Sequence, residues 1–127
     1  MEYGISKVTG HSFEQAIEKV TEELKKEGFG VLTTIDLKET LKNKIDADID
    51  KYTILGACNP NFAYRGLQAE QELGLLLPCN VIVYEKAGKV YVSAMNPELL
   101  TSVSGNEGLS DMSKEVKKIL ENVISRV

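Results

Sequence analysis

Two cysteines, each followed directly by asparagine, bracket the stretch of this sequence best equipped for chemistry. It opens with Leu55-Gly56-Ala57-Cys58-Asn59-Pro60 and closes with Leu75-Leu76-Leu77-Pro78-Cys79-Asn80. Between them lies a polar segment with Arg65, Gln68, Glu70, Gln71 and Glu72. Cys58 falls at the end of a strand-like apolar run and one position before a helix N-cap, where free amides and the helix dipole favour a thiolate as nucleophile. The plainer account makes it a small buried hydrophobe, since free cysteine is among the most buried residue types. That account is stronger for Cys79, which follows a proline and begins an apolar strand. Catalytic candidates are therefore Cys58 and, as a resolving thiol, Cys79. Candidate ligand contacts are Asn59, Arg65, Glu70 and Asn80. Arg65, one of two arginines, could hold an anion together with the helix amides near Pro60; an internal ion pair, with Glu70 and Glu72 close by, is the favoured account.

Other chemistries fail on spacing. Twenty residues separate the cysteines, which is neither C-x-x-C nor a zinc pattern, so no metal and no cofactor is expected. His11 is the only histidine and reads as an exposed turn residue. Asp46, Asp48 and Asp50 open like a calcium loop, but Lys51 and Ala57 stand where that loop needs glycine and a bidentate glutamate. Gly28-Phe29-Gly30 lacks the rest of a dinucleotide fingerprint.

The elements that would position Cys58 follow from periodicity. Glu2 to Val8 reads as a strand. Ser12 with Gln15 forms a capping box, and Phe13, Ala16, Ile17, Val20 and Leu24 give one apolar helix face closed by Gly28. Phe29 to Ile35 reads as a strand, and Asp36 with Glu39 caps a short helix carrying Leu37, Leu41 and Ile45. Tyr52 to Cys58 is a third strand. Asn59 as N-cap and Pro60 as first residue start a helix of about ten residues. Asn80 to Glu85 and Lys89 to Met95 form a hairpin around Lys86-Ala87-Gly88. Thr101 to Leu109 reads as a mobile loop. Ser110 or Asp111 then caps a last helix with Met112, Val116, Ile119, Leu120, Val123 and Ile124 on its apolar side.

This order implies one α+β domain over residues 1–127: a mostly antiparallel sheet of about five strands, two long helices on one face, plus short helices. A chain of 127 residues matches the common domain size of about 100–150. The strands carry apolar residues on both alternating sets, and the short helices offer only partial cover for the second face. A two-fold homodimer using a sheet face or edge is therefore expected. A formal net charge of −4 argues against nucleic acid. No apolar run approaches the ~20 residues that span a bilayer, and no signal peptide is visible, so no membrane contact and a cytoplasmic location are expected.

Taken together, Gly28-Phe29-Gly30-Val31-Leu32 leading to Ile35-Asp36, the Leu55–Pro60 motif and the segment Leu76-Leu77-Pro78-Cys79-Asn80-Val81 resemble the domain of unknown function 302 family. The resemblance runs from the first helix to the last. It implies a small α+β fold similar to the TATA-box-binding-protein-like class, often homodimeric, and it implies no activity. The chemistry then reduces to two expectations: a homodimeric module that binds a small molecule, an anion or a partner near Cys58–Glu72, or a thiol-dependent enzyme or redox/sulfur carrier using Cys58 with Cys79.

Overall fold

The computed structural model describes residues 2–127. Its β-branched and aromatic runs form strands β1 (Gly4–Thr9), β2 (Gly30–Asp36), β3 (Tyr52–Cys58), β4 (Cys79–Lys86) and β5 (Lys89–Met95). They make one sheet in the order β1-β5-β4-β3-β2, every neighbouring pair antiparallel. The helices are α1 (Phe13–Lys26), α2 (Leu37–Ile45), α3 (Pro60–Ala69), α4 (Glu98–Ser104) and α5 (Ser110–Ser125). Short 3-10 turns at Gln71–Leu76 and Glu107–Leu109 complete the α+β fold. No helix among the described residues is long and apolar enough to cross a membrane.

Local chemistry accounts for the boundaries. The Ser12 hydroxyl accepts from the Gln15 amide while the Gln15 side chain accepts from the Ser12 amide, so two free donors of α1 are satisfied at once. Asp36 ends β2 and caps α2 through the Glu39 amide. The β4–β5 turn has positive φ at both Ala87 and Gly88, the backbone hand that matches strand twist.

Three expectations need correction. Residues 101–109 are not a mobile loop: they hold most of α4 and a 3-10 turn. Asn96 caps α4 through the Glu98 amide, buried Leu100 anchors it, and Gly105 ends it at φ 69°. Its hydroxyls hide the helix in the sequence, because serine and threonine favour turns unless tertiary packing overrides them. Second, α5 starts at Ser110 with Leu109 at the cap position and no side-chain cap; the preceding 3-10 turn feeds directly into it. Third, the short helix α3 does not share the cover of the second sheet face. α2 buries none of its residues, and α3 packs on the side of α1 and α5, through Phe62 on Phe29 and Gly66 against Leu73 and Met112.

The core therefore lies on one face only. Phe13, Ala16, Val20 and Leu24 of α1 and Val116, Leu120 and Val123 of α5 form one cluster with Leu55, Val81, Val83 and Val92. The alternate strand positions leave on the opposite face. There Val8, Tyr91, Tyr84 and Tyr52 run across four strands in register, with ring centroids 5.0 and 5.4 Å apart along the three tyrosines. A second row holds Ile35, Ile54, Ile82, Ser93 and Ser6.

Gly56 lies on this second face, paired with Asn80. A Cβ there would overlap the Thr33 hydroxyl and come within 2.8 Å of the Pro78 ring. Thr33 can rotate away, but the ring cannot. Gly56→Ala is expected to destabilise by about 1–3 kcal/mol, the usual cost of overpacking. Chemical denaturation of the native chain and the variant should show this.

Candidate functional site

β3 ends at Cys58, and Asn59 turns the chain into α3. The Asn59 side-chain oxygen accepts from the amides of Asn61 (3.0 Å) and Phe62 (3.3 Å). Its amide nitrogen donates to the Glu27 carbonyl, 3.3 Å away at the end of α1. Asn59 thus ties two helix ends together and has every polar atom engaged. On the next strand, Cys79 opens β4 opposite Ala57, following a cis Leu77–Pro78 peptide.

Between these strand ends and the helices lies a small cavity of about 30 Å³. The sheet contributes Ala57, Cys58 and Cys79, and α3 contributes Phe62 and Ala63. Leu73 and Leu77 close it from the 3-10 turn side, with Phe29, Leu100, Met112 and Val116 behind. Cys58 is half-buried and Cys79 buried, and both thiols are free. Burial pushes the Cys79 thiol up to about 11 from 9.0, with a smaller contribution from Cys58. The folded chain therefore keeps a proton that the unfolded chain releases as pH passes 9. The corresponding stability is full below pH 9 and is lost as pH rises to about 11, some 2–3 kcal/mol in all at ~1.36 kcal/mol per pH unit. Urea unfolding at pH 8 and pH 10.5 should show a fall larger in the native chain than in Cys79→Ala.

The residues singled out by sequence divide into three places. Cys58, Asn59 and Cys79 meet at the cavity. Arg65 lies outside it, half exposed, with its guanidinium 3.7 Å from Glu115 of α5 and over the Phe62 ring. Its ion pair is thus with α5, not with Glu70 or Glu72. Glu70 accepts from the Asn106 side chain at 3.1 Å, which also donates to the Ala69 carbonyl, so it fastens α3 to the loop before α5. Asn80 points to the other sheet face, beside a trough shared with Ile82, Met95 and Leu99. The α3 amides that an anion would use are already held by Asn59. His11 is exposed on the turn after β1, with β5 and β4 between it and β3. Among the described residues no group of three His, Cys, Asp or Glu side chains could hold a metal ion.

Sequence reasoning missed the apolar wall: Phe29, Leu73, Leu100, Met112 and Val116. The visible signal was the run Leu75-Leu76-Leu77 with Leu73, more apolar than a surface connection needs.

Comparison with known proteins agrees with this architecture. No curated protein matches the chain. A crystal structure of an uncharacterized conserved DUF302 protein from Bacillus stearothermophilus superposes with a TM-score of 0.93 at 28% identity, over 99% of this chain and 98% of the other. The profile of the "Domain of unknown function DUF302" matches residues 5–127, and with the cysteine-asparagine pairs at the two strand ends the chain belongs to that family.

Proposed function

We propose that this protein is a cytoplasmic, homodimeric binding module that takes a small ligand in the cavity beside Cys58. The ligand half of this reading is carried by one observation: a concave site at a strand–helix junction, enclosed by apolar side chains from six separate segments. An apolar hollow of this size receives a compact group rather than a whole drug-sized molecule. The catalytic inventory around it is thin, since the two thiols have no histidine beside them. A thermal-shift screen with the native chain and Ala63→Leu, which fills the cavity, tests it. Cavity ligands should raise the melting temperature of the native protein and not of the variant. If every stabilising ligand acts equally on both, the site is elsewhere.

The dimer half rests on the second sheet face, where Tyr52, Ile54, Ile82, Tyr84 and Tyr91 are only half-buried and Val8 and Ile35 are exposed. It carries no charged side chain in its tyrosine and isoleucine rows, so two copies of an acidic chain meet there without like charges opposed.

A second reading, thiol chemistry at Cys58, is favoured by its half-buried position at the cavity wall, one residue before the cap of α3. Cys79 is a poor resolving partner in the resting ladder. It lies opposite Ala57, one step out of register with Cys58, and, although both thiols line the cavity, burial keeps its own thiol protonated. Iodoacetamide labelling against pH tests this reading. A midpoint above about 8.5, the ordinary thiol value, removes it.

A further inference from the structure

We propose that the group received by the Cys58 cavity is uncharged, compact and apolar, of the class of a branched aliphatic end or a xenon atom, and that anions and amides are refused. This names the ligand class of the site proposed above and rests on that proposal.

Size comes first. By the measure that gives one water about 10–15 Å³, the cavity of about 30 Å³ holds about two such spheres. A planar aromatic ring or a sugar does not fit without moving a wall. Polarity comes second. The one side-chain amide in the lining belongs to Asn59, and its oxygen and nitrogen are spent on Asn61, Phe62 and Glu27. A polar guest would lose its water and gain at best a weak thiol bond or the second Asn59 N–H, so most of its polar groups would go unpaired at about 1–3 kcal/mol each. Charge comes third. The Cys79 thiol on the wall is held in its neutral form by burial, and Arg65 of α3 is turned to Glu115 outside. A carboxylate entering the cavity would be an unpaired buried charge. Apolar cavities without polar partners stay dry and take apolar guests such as xenon. Met112 on the wall is the adaptable element, an unbranched side chain that can follow the shape of its guest.

Xenon itself is the probe. Methyl signals of Leu73, Leu77, Met112 and Val116 should shift saturably with xenon pressure in the native chain. The shifts should vanish in Ala63→Leu and persist in Arg65→Ala. Met112→Ala, which enlarges the cavity, should add binding of benzene that the native chain lacks. Absence of saturable shifts in the native chain, or their survival in Ala63→Leu, overturns the proposal. A charged ligand that stabilises the native chain but not Ala63→Leu would also overturn it, while leaving the cavity as the binding site.

Discussion

Tyr84→Arg is expected to convert a dimer of twice 14.0 kDa to the 14.0 kDa monomer without unfolding the chain. Tyr84 is the middle ring of the stacked row Tyr52–Tyr84–Tyr91 and lies on the sheet face opposite the core. Its replacement leaves the α1 and α5 packing intact, so circular dichroism should not change. In a two-fold pair the same patch meets itself, and each copy would bring a new positive charge to a desolvated interface, at a cost of several kcal/mol. Five strands at ~4.8 Å spacing and six residues at ~3.3 Å rise give a flat patch of about 480 Å² per copy. The total of about 1,000 Å², before side-chain relief is added, reaches the lower bound of stable interfaces. Light scattering at micromolar concentration is the measurement. A native chain that is already monomeric there ends the dimer reading.

Phe29→Ala is expected to cost about 3–5 kcal/mol, the range for deleting a fully buried aromatic ring. Phe29 is 2% exposed. Its ring stacks on Phe62 at 6.2 Å, joining the start of β2 to α3 and forming one wall of the cavity. Phe62→Ala should cost less than half as much, because Phe62 is only partly buried. The double variant should fall short of the sum by about 0.5–1.5 kcal/mol, the coupling of a stacked pair. Strict additivity in urea unfolding would mean the rings do not support each other.

The difference between what could and could not be read from the sequence has one cause. β3, α3 and β5 were legible almost to the residue, because Tyr52–Cys58 and Lys89–Met95 are short, largely apolar runs between turn signals and Asn59-Pro60 is a local start signal. The capping box at Ser12 is equally local. α4 was hidden because Thr101, Ser102 and Ser104 speak for a turn, and only the burial of Leu100 and the Asn96 cap decide otherwise. The cavity was hidden for a stronger reason. Phe29, Ala57, Leu73, Leu100 and Met112 come from five segments, and no periodicity within one segment reports what another will face. Arg65 shows the same limit: sequence neighbourhood suggested Glu70 or Glu72, while the fold brings Glu115, fifty positions later, to within 3.7 Å.

The slip in register between Val31 and Thr33 bears on how the molecule behaves in a crowd. β2 is an edge strand, six of its seven residues are exposed, and Asp36 is its only charge. It has neither the lysine nor the proline that commonly blunts such an edge. What interrupts its row of amides is Leu32, an extra residue that bends the strand and tightens its twist. The chain's protection against strand-by-strand stacking into fibrils is thus geometric, an added residue in place of a charge.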